Sequence, residues 1–508
     1  MTTKQRVLIL STSAGAGHRA AAAALEQVFA RVPHVDVRNH DALELGSDAL
    51  RTQYADMYHR LVREAPVLLG WWYDQQNEPF KGDQIRILWE RLNAEPLVRL
   101  IKEFDPDITV CTHFMPAGII AQMMSRGELH THLAIVTTDY DFQGMWLSRM
   151  FNRYFVPLEE TKVHVTSLGI PEEHITVSGI PVSPLFGEPV DRDEVLARYN
   201  LRPDAPIVLV SAGAAGNTSA KTVVEQLTRL RGDFQAVVVC GRNDRLRREI
   251  VAQAAPRAAN FRVLGFTDRM PDLVRIASLF IGKPGGLAAS ECMAAQLPML
   301  VIEPIPGQEE RNSHHLLEEG AALRCNELST VAFKVDRLLA DPDRLAQMRA
   351  NTRRLGRPDA TQVIVETLLG EQVPPVLAES AARPSLVSAL LGDPAPPAPP
   401  AATLYDDQSG VLLGTISEAQ FRFLADQLEE EDSRDDDYYI NAPTIDMLAE
   451  RGADPELLAM LRMALGDRED AEVRWVWLRP DASAVPPVRV EPASPPADPA
   501  IDAPQQQI

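Results

Sequence analysis

The stretch GKPGGLAASECMAAQLPMLVIEPIPGQEERNSHHLLEEGAAL, residues 282–323, decides how this chain is read. An apolar strand, Leu279–Ile281, runs into Lys283-Pro284-Gly285-Gly286, and a helix then opens on small residues. Backbone amides with little side chain in front of them, at the positive end of a helix, make a seat for an anion. Glu291, one turn into that helix, is placed to accept hydrogen bonds from a ribose diol, so Lys283, Gly285, Gly286 and Glu291 read as a diphosphate and ribose cradle. One strand later Gly307, Gln308 and Glu309 open another helix, with Asn312 a turn beyond. An amide and a carboxylate at such a helix start are suited to sugar hydroxyls.

The same strand–loop–helix pattern fills the chain on both sides. Candidate strands in residues 1–185 are Val7–Leu10, Val35–Arg38, Ile108–Thr112, Leu133–Thr137, Tyr154–Val156 and Ile175–Val177. The stretch GIPVSPLFGEPV interrupts them, and alternation resumes in 186–370 with Ile207–Ser211, Ala236–Cys240, Phe261–Leu264, Leu279–Ile281, Met299–Ile302 and Ala322–Arg324. Strands alternating with helices specify parallel sheets with crossover helices, here an α/β chain of two Rossmann-like domains facing a cleft. The first loop, in LILSTSAGAGHRAAAAALEQVF (8–29), supplies Gly15 and Gly17 as G-x-G, with Ala20 where a dinucleotide fingerprint tolerates alanine. His18 fits that fingerprint poorly, because it puts a titratable ring at the mouth of an anion site.

Composition narrows the function classes. The 508 residues, 45% apolar and 24% charged, imply a globular chain of several domains. Cys111, Cys240, Cys292 and Cys325 lack metal-ligand or disulfide spacing, and no His/Cys/Asp/Glu set predicts a metal. The net charge is −21, of which 26 acidic and 9 basic residues in 371–508 carry −17. That acidity argues against a nucleic-acid partner and leaves residues 1–370 nearly neutral, free to approach an anionic surface. No apolar run is long enough to span a membrane or to start a signal peptide, so cytoplasmic placement and peripheral membrane contact are expected. Residues 371–402 read as a Pro/Ala linker, 403–480 as a small, mainly helical acidic module for either protein interaction or regulation, and 481–508 as a disordered tail.

The run K-P-G-G, S-E, P-G-Q-E, N resembles the carboxyl-terminal domain of glycosyltransferase family 28, in particular the monogalactosyldiacylglycerol synthases and processive diacylglycerol β-glycosyltransferases. Ala14-Gly15-Ala16-Gly17-His18, IVTTDYDFQGMW (135–146) and the G-I-P-V linker are similar to segments of the same family, so the likeness spans roughly 5–370. Many relatives carry threonine where Ala288 stands and histidine where Gln143 stands.

The resemblance implies a GT-B fold and an inverting transfer of a hexose from UDP-galactose or UDP-glucose to diacylglycerol at the inner face of the cell membrane; the alternatives are a UDP-sugar transferase with a polyprenyl-linked or soluble acceptor and a non-catalytic nucleotide-sugar-binding regulatory protein. The UDP-sugar is the donor substrate and no cofactor is needed. Gly213 and Gly216, then Gly241, Asn243, Phe266 and Met270, match segments lining the nucleotide. His18 is the candidate base with Asp139 its rival; His18 is equally suited to binding a phosphate or capping its helix. Gly15, Gly17 and His113 fall on the acceptor side, where His113 also reads as a buried structural histidine. Trp71, Trp72 and Tyr73 form an aromatic cluster that either enters the bilayer interface or packs in a core.

Overall fold

A computed structural model describes residues 4–52, 54, 80, 83–214, 216, 219–370, 373–377, 400–406, 412–428, 437–451, 453–466, 468 and 470–477. Trp71, Trp72, Tyr73 and the tail 481–508 lie outside the described residues. The chain forms two compact units, Met1–Arg383 and Pro384–Ile508.

The first unit holds two six-stranded parallel sheets. In one, β1 (Gln5–Ser11), β2 (Val35–Asp41), β3 (Ile108–Cys111), β4 (His132–Val136), β6 (Arg153–Val156) and β7 (Ile175–Val177) lie in the order β2-β1-β3-β4-β6-β7. A two-residue strand, β5 (Met150–Phe151), stands outside it. In the other, β8 (Ile207–Ser211), β9 (Gln235–Val239), β10 (Phe261–Leu264), β11 (Leu279–Gly282), β12 (Met299–Ile302) and β13 (Ala322–Cys325) lie in the order β10-β9-β8-β11-β12-β13. Strands covered on both faces need continuous apolar runs. Val7–Leu10 and Leu279–Ile281 meet that need, being buried throughout.

Each sheet reverses its strand order once, between β1 and β3 and between β8 and β11. Ligands of open parallel sheets bind at the carboxyl ends of the strands at such a reversal. The loops and helix starts that follow those four strands carry His18, His113, Gly213 and Lys283 to Gly286.

Three expectations need correction. Helix Ala360–Gly370, which in sequence falls within 186–370, belongs to the first domain: Ile364, Val365 and Leu368 pack in its core with Val7, Ile9 and Leu25, and the Thr361 hydroxyl donates to the Val182 carbonyl at 2.6 Å. The linker is shorter than 371–402, because β14 (Val376–Leu377) pairs with β5 and β15 starts at Pro400. Alanine and proline there pass for a spacer, but Ala402 is wholly buried.

The module is also not mainly helical. β15 (Pro400–Asp406), β16 (Leu412–Ser417), β17 (Asp437–Asn441) and β18 (Asp470–Trp477) form an antiparallel sheet in the order β16-β15-β18-β17. In β18 the buried residues Ala471, Val473 and Trp475 alternate with the exposed Glu472 and Val476, a period-two pattern that charged residues interrupt. Helices Glu418–Gln427, Ala442–Glu450 and Pro455–Leu465 contribute Leu424, Leu448 and Leu461 to its core. Ser417 caps helix Glu418–Gln427 in a capping box, with Gln420 reciprocating. No described helix of the protein is long and apolar enough to cross a membrane.

Candidate active site

The loop after β1 is braced by Asp41, whose Oδ1 accepts from the Ser13 and Leu43 amides at 3.1 and 3.0 Å. Gly15 precedes helix Ala16–Phe29 in extended conformation with no side-chain cap, leaving the helix amides open. Gly17 packs on the opposite domain: a methyl group there would stand 3.4 Å from Leu287.

The tautomer of His18 follows from its partners. Nδ1 lies 3.0 Å from the Thr112 carbonyl, which can only accept, so Nδ1 carries the proton and shares it with the Thr138 hydroxyl at 2.9 Å. That leaves a lone pair on Nε2. Burial lowers the proton affinity of the ring below the ordinary histidine value, opposed by the nearby Asp139 carboxylate and the Thr112 hydrogen bond.

His113 has the opposite tautomer. Its Nδ1 accepts from the Met115 amide at 3.1 Å as the cap of helix Phe114–Ser125, so its proton sits on Nε2. Its ring meets His18 edge-on at 4.7 Å and stacks on Phe114 at 4.2 Å. Burial, reinforced by His18 and Arg86, holds it far below the ordinary range and therefore neutral. Its structural and acceptor-side roles are compatible, since the capping nitrogen is not the one left over.

Trp146 lies 6.3 Å from the His18 ring and 6.2 Å from His113, walling this corner with Phe114. Neither aromatic was singled out from the sequence. Position offers a signal for Phe114, which follows the carboxyl end of β3 directly; Trp146 stands ten residues beyond β4.

In the second domain, Gly213, Gly216 and Gly241 all have positive φ. A methyl group at Gly241 would come within 2.5 Å of the Gly213 and Ala214 carbonyls, so the two turns can only close with glycine there. Asn243 is spent on this scaffold: its Oδ1 caps helix Asp244–Ala254 through the Leu246 amide at 2.9 Å, and its Nδ2 donates to the Gly216 carbonyl at 3.2 Å. Phe266 is 58% exposed, with the Arg242 guanidinium 4.5 Å from its ring. Met270 begins helix Met270–Ile276.

Gly285 precedes helix Gly286–Ala294, again without a side-chain cap. The Glu291 carboxylate accepts no hydrogen bond among the described residues, and burial pushes its carboxyl up to about 8. Gly307, at φ 84°, starts helix Gln308–Glu318. The Glu309 carboxylate accepts from the Ile305 amide at 2.7 Å and reaches toward Gly285; burial raises its pKa, opposed by Lys283.

The two domains meet through the strand end Thr138–Asp141. Asp139 is buried and accepts from Asn312 Nδ2 at 2.9 Å and from the Gln308 amide. Asn312 Oδ1 accepts from the Tyr140 amide at 2.9 Å, the Tyr140 hydroxyl pairs with Ser290 at 3.0 Å, and Asp141 pairs with Arg311 at 2.9 Å. Asn312, expected to read a sugar, is fully buried and joins the domains instead; Gln308 shares that task. Asp139 and Asp141, which spell D-x-D, are each engaged by the opposite domain.

Gly286 lies against the same strand end. A methyl group there would stand 2.0 Å from the Thr138 carbonyl oxygen. Gly286→Ala is therefore expected to wedge the domains apart and lower turnover about 10²-fold, the scale of an ångström's misplacement. Small-angle scattering would show the wider particle while circular dichroism stays unchanged.

A family model of monogalactosyldiacylglycerol synthase matches residues 18–182, and one of group 1 glycosyl transferases matches residues 191–355. The processive diacylglycerol β-glucosyltransferase of Bacillus subtilis (strain 168) is 29% identical over 376 residues, which is 73% of this chain and 96% of that protein. The enzyme of that name from Bacillus cereus (strain AH187) is 29% identical over 371 residues, 73% of this chain and 95% of that protein. Among solved structures, MurG of Acinetobacter baumannii aligns with a TM-score of 0.49 at 17% identity, over 72% of this chain and 100% of that one. The chain is thus similar to the monogalactosyldiacylglycerol synthases over residues 18–182 and to processive diacylglycerol β-glucosyltransferases over 73% of its length, and it folds as two Rossmann-like domains.

Proposed function

We propose that this protein transfers a hexose from a UDP-sugar to diacylglycerol, with inversion, at the inner surface of the cell membrane. The observation that carries the reading is His18: its outer nitrogen holds a lone pair, at a strand-order reversal, beside helix starts of the opposite domain that leave amides open. The acceptor hydroxyl gives its proton to His18 Nε2 while its oxygen bonds to C1 of the sugar; the bond from C1 to the diphosphate oxygen breaks and UDP leaves. Open amides at Gly285 and Gly286, with the Gly213 turn alongside, take up the charge that develops on the diphosphate. Phe266 and Met270 border the base and Glu291 takes the ribose hydroxyls. Glu309, at the start of the next helix, faces the sugar, while Gln308 holds Asp139. Similarity to diacylglycerol enzymes over nearly their whole length supports the lipid acceptor.

The test offers UDP-glucose and UDP-galactose in turn to purified protein with liposomes containing diacylglycerol. Glycolipid from one donor is the expected result. UDP release without a lipid product would move the acceptor elsewhere, and no product or UDP from either donor would overturn the reading.

A further inference from the structure

Asp139 has no partner in its own domain's proton chemistry. It makes no hydrogen bond to His18, whose Nδ1 is already shared between Thr112 and Thr138. Both its oxygens instead receive amide hydrogens from helix Gln308–Glu318 of the opposite domain. Its neighbour Thr138 touches both sides of the cleft: the hydroxyl meets His18 Nδ1, and the carbonyl is pressed by Gly286. The carboxylate is thus placed by the second domain and felt by the imidazole of the first.

We propose that Asp139 is a positioning residue rather than the proton acceptor: gripped by Gln308 and Asn312, it supplies the negative charge that stabilises an imidazolium forming at His18, so the base is complete only when the domains are closed. This rests on His18 being the base. Both Asp139 oxygens are turned to amides of the opposite domain, while a fixed negative charge near an imidazole strengthens it as a base without exchanging protons. The other titratable or charged groups on the elements packed here are His113, whose ring meets His18 at 4.7 Å; Arg86, which faces His113 and with Tyr54 pairs Glu90; and Glu309, which with Lys283 lies near Asp139 across the cleft. Of these, His113 is held neutral by burial, and the Glu90 carboxylate pairs with Arg86 at 2.8 Å.

The test is Asp139→Asn, read in two ways. In the pH profile of kcat, activity rises as His18 loses its proton. The variant's acid limb is expected about one pH unit lower, with a plateau about tenfold or more below wild type. The His18 ring, followed by NMR and assigned by its absence in His18→Gln, should titrate lower by the same amount. A lower plateau with an unmoved limb and an unmoved ring titration would reduce Asp139 to a structural role and overturn the proposal. So would loss of all activity in Asp139→Asn while His18→Gln stays active, which would make Asp139 the base. The ring titration needs no turnover, so it decides the proposal even if diacylglycerol proves not to be the acceptor.

Discussion

His18→Gln is expected to lower kcat about 10²–10⁴-fold, the usual worth of a positioned general base, while donor affinity stays within about threefold. The argument is one of lone pairs. Because the Thr112 carbonyl fixes the proton on Nδ1, the only basic site of the ring is Nε2, and burial keeps that site unprotonated at neutral pH. The sign for pH follows: a proton affinity below that of an ordinary histidine keeps the neutral ring present further into acid, so wild-type activity should fall only below about pH 6.5. A ring that only held a phosphate would behave oppositely. It would have to be protonated to help, activity would rise toward acid, and its loss would appear as weaker donor binding. Turnover against pH, with UDP-glucose affinity measured on the same variant, separates the two.

Much of this arrangement was legible in the sequence, for a physical reason. Strands such as Val7–Leu10 and Ile207–Val210 are buried on both sides, so they appear as unbroken apolar runs, and the glycine loops that follow them mark the strand ends where sites form. The twelve strands read in residues 1–370 are all present, with ends moved by three residues at most. Asn312 and Asn243 were legible as motif members but not in their tasks, because whether an amide faces a ligand or a neighbouring loop depends on tertiary contact. The rejoining of helix Ala360–Gly370 to the first domain was equally hidden, since an apolar face does not name the sheet it covers. In the module, Asp437–Asn441 and Asp470–Trp477 form strands despite acidic residues at their starts, because half of a one-sided antiparallel strand faces water.

Glu291→Ala should weaken UDP-glucose binding about tenfold to a hundredfold, the worth of hydrogen bonds from ligand hydroxyls to a carboxylate. The structure adds a pH signature that a surface carboxylate would lack. With its carboxyl pushed up to about 8 by burial, Glu291 is mostly protonated at neutral pH in the free protein. Two ribose hydroxyls donating to it would favour the ionised form, so binding must expel a proton. Linkage then sets the direction: affinity rises with pH up to the free-state value and levels off above it. UDP-glucose has no phosphate step in this range, so calorimetry in buffers of different ionisation enthalpy, between about pH 6.5 and 8.5, would read the released proton directly. Glu291→Gln should abolish that release and flatten the pH dependence while retaining part of the affinity, because the amide oxygen still accepts one hydroxyl. Wild-type affinity that does not change with pH would mean that Glu291 stays protonated in the complex, and the ribose would then need another acceptor.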